Sequence, residues 1–472
     1  MSHRIRTACA ALAALLVVLA APAAVRAQGA PIDYAALRDE TVKALQEYLR
    51  INTTNPPGNE LATAKWLQAF LQKEGIEAEI LDTAELGPGR ANLYARLKGD
   101  GSKRAVALVN HMDVVPADPA TWQQPPFSGA LVDGDVWGRG ALDMKGIGIV
   151  QLMTMVAIKR AGIPLTRDLV FIANADEESD GSGAIVFVAK HKDKLADVEF
   201  LLTEGEGTLV ENGKVKMFAI GVGEKRPYWM TLTVHGVPSH GSVPTPYNPV
   251  PRLAQAVVRA AQWQTPVHLL PAVDNYFKAL ATLYTGQQRA WLMNASAALT
   301  DPKGRAFILS DPYRNAILRN TVVPTVLKGS NKTNIIPGEA SAELDIRLLP
   351  DQDTAAFHRD LDRVIGDTSV HSAVFAEVTP NYSAGINTDM VRAVEKVVGQ
   401  LLPGVPVATP LAAGATDRPT YAQVGIQAYG LEPWLVEITD EMSEVHGNNE
   451  RLSVKNIGFG LKLMIGVIEA VQ

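Results

Sequence analysis

The chain reads as an α/β protein with a covered, largely parallel sheet and an inserted α+β domain. Three observations predict this. Short apolar runs at 105–109 and 168–173 flank a helical stretch at 146–160, and strand, helix, strand at that spacing makes a parallel pair with a crossover. Near Tyr228 the pattern changes to alternation, with Met230, Leu232 and Val234 set against Trp229, Thr231, Thr233 and His235, as in an antiparallel sheet wetted on one face. At 472 residues the chain also exceeds what one hydrophobic core usually organises.

The elements follow in order. Residues 1–27 have a basic start (Arg4, Arg6), an apolar run from Ala8 to Ala21 and small residues around Val25-Arg26-Ala27, which reads as a signal peptide cleaved near Ala27. The apolar run falls short of the roughly 20 residues of a membrane span, so the mature chain is expected to be soluble, periplasmic or secreted, and free of the membrane, the alternative being an uncleaved anchor of similar composition. Cys9 is the only cysteine and would leave with that segment, so no thiolate metal site or disulfide is expected.

Helical spacing marks two helices between Tyr34 and Lys73, separated by the Pro- and Asn-rich loop at 53–59. The first domain is expected over 28–225. A second domain, 226–373, contains the alternating runs at 229–235 and 340–348 and helical stretches at 251–263 and 354–365. Helices at 390–402 and 453–471 then return to the first domain over 374–472.

Formal charge is −6, and loss of Arg4, Arg6 and Arg26 would take it to −9. No run of Lys or Arg exceeds two adjacent residues, so nucleic acid is excluded as the main partner.

The chemistry-bearing residues fall mostly at strand ends, where ligand sites of open α/β sheets gather. His111-Met112-Asp113 ends one apolar run, and a carboxylate two residues away can orient a metal-binding imidazole; alone, such a pair is more often ordinary hydrogen-bonded structure. Asp143 lies in the glycine-punctuated loop Gly138 to Gly146, where its bland role is a helix N-cap. Asp176-Glu177-Glu178 follows the next apolar run, and three adjacent acids at a buried strand end call for compensating cations, unless the turn is simply solvated. Glu204 follows a further run, and His446 lies near the C-terminus. Together these give five nitrogen or oxygen ligands with one carboxylate to spare, the inventory of a two-metal hydrolytic site.

In these motifs the chain resembles the co-catalytic zinc metallopeptidase family of aminoacylases, glutamate carboxypeptidases, acetylornithine deacetylases, succinyl-diaminopimelate desuccinylases and carnosinase-like dipeptidases. The likeness runs from about Leu37 to the C-terminus and includes Asn55-Pro56-Pro57-Gly58, His111-Met112-Asp113-Val114-Val115-Pro116, Pro125-Pro126-Phe127, Gly138 to Gly146, Asp176-Glu177-Glu178, Thr203-Glu204-Gly205 and His446-Gly447-Asn448-Asn449-Glu450. It implies a di-zinc aminopeptidase-like catalytic domain carrying a lid or dimerisation domain. Two zinc ions per chain are implied, with cobalt or manganese as substitutes. Asp143 would bridge them, His111 and Glu204 completing one site and Glu178 and His446 the other.

Glu177 is then the general base and Asp113 orients His111. Two cations sharing a water can lower its pKa to about 7. The lid motifs His235 to Pro244, Thr333-Asn334-Ile335-Ile336-Pro337 and Asp345-Ile346-Arg347 imply that His240 steadies the oxyanion while Asn334 and Arg347 grip a substrate carboxylate. In many relatives the histidine matching His240 acts across a dimer, so a homodimer is expected. Gly414-Ala415-Thr416-Asp417-Arg418 resembles the family's substrate loop, where Gly414 permits close backbone approach. One departure is a lid enlarged between about Gln264 and Val326.

The implied activity is hydrolysis of amide bonds in small peptides, of carboxypeptidase or dipeptidase type, with N-acyl-amino-acid hydrolysis or deacetylation as the alternative. A non-catalytic metal- or ligand-binding relative would have no use for the spare base Glu177. Export favours scavenging over a cytosolic biosynthetic deacetylase.

Overall fold

The computed structural model describes residues 30–179, 181–376, 380–435 and 445–472. The signal peptide expected over 1–27 lies outside the described residues. Among the described residues, no helix is long and apolar enough to cross a membrane.

The large sheet has six strands in the order Ala78–Asp82, Ala91–Leu97, Leu169–Asn174, Ala105–His111, Val198–Thr203 and Gln427–Gly430. The last four are mutually parallel, and the first two form an antiparallel edge. Every residue of Ala105–His111 and Leu169–Asn174 is buried, because each strand face meets a separate core. Val106 and Leu108 enter the core formed with Lys145–Ala161, Tyr34–Arg50 and Val454–Val471; Ala105, Ala107 and Val109 enter the one formed with Phe187 and Tyr421. That two-residue period turns an apolar run into a covered central strand.

The helix Lys145–Ala161 is buried from Lys145 through Ile158 and ends at left-handed Gly162. Buried all round, it serves as the core's central rod, which explains its nearly continuous apolar sequence.

The second sheet is antiparallel throughout. Glu339–Leu348 lies between Thr321–Lys328 and Met230–His235, and the latter also pairs with Val370–Val374. Met230, Leu232, Val234, Ala342, Leu344 and Ile346 face the helices Pro249–Gln262 and Thr354–Ile365 through Leu253, Ala256, Phe357 and Leu361. The opposite face carries Trp229, Val323 and Phe375, all exposed.

The helical part of the enlarged segment has a core of its own, whereas its last residues, from Thr321, belong to the strand Thr321–Lys328 of that sheet. Helices Pro271–Leu280, Gly286–Met293, Pro302–Leu309 and Pro312–Ile317 share a core that includes Met217, Leu349, Ala408 and Leu411. Two of them start on Asp-Pro caps at Asp301 and Asp311. Lys225, where the chain enters the second sheet, is buried and donates through Nζ to the Ala316 carbonyl at 3.0 Å and to Thr321 Oγ1 at 2.9 Å.

Candidate active site

Three parallel strands end side by side, and each delivers part of one cluster. His111 is the last residue of Ala105–His111, Glu177 and Glu178 follow Leu169–Asn174, and Glu204 follows Val198–Thr203. Asp143 and His446 arrive on loops. Asp143 Oδ1 lies 3.1 Å from His111 Nε2, and its Oδ2 lies 3.1 Å from His446 Nε2. One carboxylate thus faces two histidines, one through each oxygen. Glu204 Oε2 is 3.6 Å and Glu177 Oε2 3.9 Å from His111 Nε2, while Glu178 Oε2 is 3.0 Å from His446 Nε2. The N-cap reading of Asp143 does not hold: the helix cap is Met144, and no side chain caps it.

Asp113 corrects one expectation in detail. His111 Nδ1 lies 3.0 Å from the Asp113 backbone carbonyl, whereas the Asp113 carboxylate is 3.7 Å away. That carboxylate instead accepts from the backbone amides of Glu177 and Glu178, both at 3.1 Å, and from Asn55 Nδ2 at 2.8 Å. Its main hold is on the turn carrying the two glutamates. Asn55 also donates to Asp176 at 2.8 Å, and Arg90 pairs with Asp176 and with Glu60. Arg90 is therefore the cation that lets Asp176 sit beside Glu177 at the strand end.

The electrostatics are those of a cation site. Burial and the Glu204 carboxylate hold Glu177 well above the usual range, and burial with Asp143 pushes Glu204 up to about 7. Burial works against charge on His111, yet Glu204, Asp143 and Glu177 raise it well above its ordinary value. Hydrogen bonds to Asp143 and Glu178 raise His446 to about 10. Burial would raise Asp143, but the hydrogen bonds from both histidines hold it low. The acids crowd one another and draw protons onto the imidazoles, a strain that divalent cations relieve. Glu178 Oε1 is buried without a hydrogen-bond partner among the described residues, as a free ligand atom would be. The oxygen and nitrogen donors of His111, Asp143 and Glu178, and those of His111, Glu177 and Glu204, are close enough to hold an ion. The residues present thus fit a metal centre.

A cavity of about 310 Å³ opens beside the cluster, lined by Asp143, Glu177, Glu178, Glu204 and His446 and, opposite them, by the loop of Gly414 to Thr416. A Cβ added to Gly414 would meet nothing within 4 Å, so its bare Cα keeps cavity space open rather than relieving a packing clash. His240, Asn334 and Arg347 do not line this cavity. His240 and Asn334 are exposed on the second sheet's side of the molecule, where His240 Nδ1 is 2.7 Å from Ser242 Oγ. Arg347 is half-buried, and its Nε donates to Asp345 Oδ1 at 2.8 Å.

Two cavity residues, Glu206 and Glu432, escaped the sequence reading, and Arg418 entered it only as the end of the Gly414 to Arg418 loop. Arg418, fully buried, lies 3.2 Å from Glu224 and 3.4 Å from Glu206. Glu432 faces the cavity with no hydrogen bond or ion pair to another described residue. Burial, Asp143, Glu204 and Glu206 push it up to about 8. The only signal for Glu206 was its place two residues beyond Glu204, and Glu432 follows an apolar run without a motif.

The family model described as peptidase family M20/M25/M40 matches residues 107–470. The chain belongs to this M20 family. An N-fatty-acyl-amino acid synthase/hydrolase of Xenopus tropicalis is 28% identical over 449 residues, 92% of this chain and 86% of the relative. Among solved structures, the M20 family metallo-carboxypeptidase Sso-CP2 of Sulfolobus solfataricus superposes with a TM-score of 0.69 at 21% identity, covering 92% of this chain and 99% of its own. Human carnosine dipeptidase 1 gives a TM-score of 0.68 at 18% identity, covering 94% and 99%. Like its M20 relatives, the chain is a metallohydrolase of the peptidase and amidohydrolase kind.

Proposed function

We propose that this M20 chain is a two-metal amidohydrolase that cleaves the amide bond of small peptides bearing a free α-carboxylate, as a dipeptidase or carboxypeptidase. The reaction rests on one observation above all: Asp143 is split between His111 and His446, with Glu178 on one side, Glu204 on the other and Glu177 left over. His111, Asp143 and Glu204 would hold one ion, and Asp143, Glu178 and His446 the other, zinc being the assignment that these nitrogen and oxygen donors fit. When bound, such a pair supplies Lewis acidity to the amide carbonyl and to the attacking water.

Glu177 takes the proton of the attacking water and returns it to the leaving nitrogen. His240 stabilises the oxyanion, reaching a neighbouring chain's cavity in a homodimer, and Arg347 with Asn334 holds the substrate carboxylate. Glu432, with no hydrogen bond or ion pair to another described residue in the cavity, suits the α-ammonium of a peptide. Export with cleavage near Ala27 places this activity in the periplasm or outside the cell, and N-terminal sequencing of the native protein tests that.

A second reading, hydrolysis of N-acyl amino acids, is favoured by the exposed Trp229–Phe375 pair, ring centroids 6.1 Å apart, beside Arg347, whose guanidinium lies 5.8 Å from the Trp229 ring. An acyl chain could lie on that aromatic surface while Arg347 takes the carboxylate, and the name of the Xenopus relative points the same way. The deciding assay runs zinc-loaded and chelated enzyme on dipeptides, their N-blocked forms, and short- and long-chain N-acyl amino acids. Preference for free amino termini supports the first reading, and preference for apolar acyl groups the second. Hydrolysis undiminished by chelation overturns both.

A further inference from the structure

Two of the candidate metal ligands lack the support that the sheet gives the others. Asp143 sits in the loop ahead of Lys145–Ala161, and His446 in a turn with φ of 68° at its own residue. The antiparallel pairing of Arg451–Ser453 with Asp135–Trp137, and the Gly138 amide donating to the Glu450 carbonyl at 3.0 Å, bring the roots of the two loops together. Beyond that pairing, where Asp143 Oδ2 and His446 Nε2 stand 3.1 Å apart, the loops are joined by a reciprocal clamp of side chains.

Glu450, buried and four residues after His446, turns its carboxylate onto the Asp143 loop. Its Oε1 accepts from the backbone amides of Leu142 at 2.7 Å and of Asp143 itself at 3.0 Å, while Oε2 accepts from Gly140 at 3.0 Å. Arg139, at the start of the Asp143 loop, reaches the opposite way. Its Nη1 donates to Glu450 Oε2 at 2.7 Å, and its Nη2 to the backbone carbonyls of Gly447 at 2.8 Å and His446 at 3.2 Å. Each loop thus contributes one charged side chain that grips the other's backbone. The pair is shielded, with side-chain exposures of 2% and 0%, and the guanidinium lies 5.2 Å from the Trp122 ring centre.

Gathering three amides on one carboxylate fixes an orientation as well as a position, and the forked guanidinium fixes the partner loop against the same carboxylate. A carboxylate buried this deeply holds its geometry only while its partners stay in place.

We propose that Arg139 and Glu450 are positioning residues that set the distance between Asp143 and His446, and through it the affinity for the ion which these two share with Glu178. The inference rests on the two-metal reading above.

The test is Arg139→Lys. A lysine keeps a cation for Glu450 but cannot also fork across the His446 and Gly447 carbonyls. Stepwise zinc binding is measured against a chromophoric chelator, together with the cobalt absorption spectrum, the melting temperature, and kcat and KM at limiting and saturating metal. One of the two ions should bind about 10- to 100-fold more weakly, the range for losing a partner that orients metal ligands. Excess metal should restore kcat while KM stays at the parent value. In a His446→Ala background, where that ion is already lost, Arg139→Lys should leave the affinity of the remaining ion unchanged.

A merely structural role would lower the melting temperature and the active fraction without rescue by metal, and that outcome overturns the proposal. Two ions bound by folded Arg139→Lys protein with parental affinity also overturn it, leaving the two-metal reading intact. Fewer than two ions in the parent would remove that reading and the clamp together. Should Arg139→Lys not fold, Glu450→Gln carries the same test, since its amide keeps the shape but loses the pairing with Arg139.

Discussion

Glu177→Gln separates two roles that the geometry leaves side by side. Glu177 Oε2 is 3.9 Å from His111 Nε2, and with His111 and Glu204 the residue forms one of the two groups able to hold an ion. As the base it should be dispensable for metal; as a ligand it should not. The substitution spares the backbone, because the Glu177 amide is anchored on Asp113 Oδ1 at 3.1 Å and does not depend on the side chain. Glutamine preserves shape and removes only the proton-accepting oxygen. Positioned general bases are worth about 10²- to 10⁴-fold, so the barrier should rise by about 2.7–5.4 kcal/mol and kcat fall by that factor. Metal content after dialysis, followed by steady-state kinetics on a dipeptide, measures both consequences at once. Two ions retained with kcat down at least a hundredfold is the expected result. Activity within about tenfold of the parent, a barrier change of roughly 1.4 kcal/mol, refutes the base assignment, and loss of one ion makes Glu177 a ligand.

Glu432→Gln should lower kcat/KM for peptides with a free amino terminus by about 10- to 100-fold, the value of a hydrogen bond to a charged group, while N-blocked substrates change little; equal losses on both would sink the ammonium role. Arg347→Ala should chiefly weaken substrates with a free α-carboxylate, and a matched carboxamide is the control, equal losses on the two contradicting the assignment. Mixing inactive Glu177→Ala and His240→Ala chains should recover roughly a quarter of parental activity if His240 acts across a dimer, because about half the dimers would be mixed and each would have one intact site. No recovery after demonstrated subunit exchange would confine His240 to its own chain.

The candidate metal-binding cluster was legible because its chemistry sits where strands stop. His111, Glu178 and Glu204 each follow an apolar run, and parallel strands deliver their ends to one edge. The second sheet was legible for a similar reason: alternation at Met230–His235 and Glu339–Leu348 has the period of a strand with one buried face. What stayed hidden depends on distant partners. Spacing suggested that Asp113 serves His111 through its side chain, whereas the carboxylate turns to the amides of Glu177 and Glu178. Arg90 and Asp176 are far apart in sequence, as are Arg139 and Glu450, and no periodicity announces a buried ion pair. The helices between Pro271 and Ile317 fall in a segment read only as an enlarged lid, and their docking on Met217, Ala408 and Leu411 is a tertiary choice that local pattern does not encode.

The order in which the chain supplies its ligands has a bearing on how the enzyme comes into being. Synthesis runs from His111 through Asp143, Glu178 and Glu204, then through both the antiparallel sheet and the helical unit, and only afterwards reaches His446 and Glu450. Until those last two are in place, Asp143 Oδ2 has no imidazole opposite it and its loop has no carboxylate to hold it. The antiparallel sheet and the helical unit are therefore both synthesised before the Asp143–His446 pair can form.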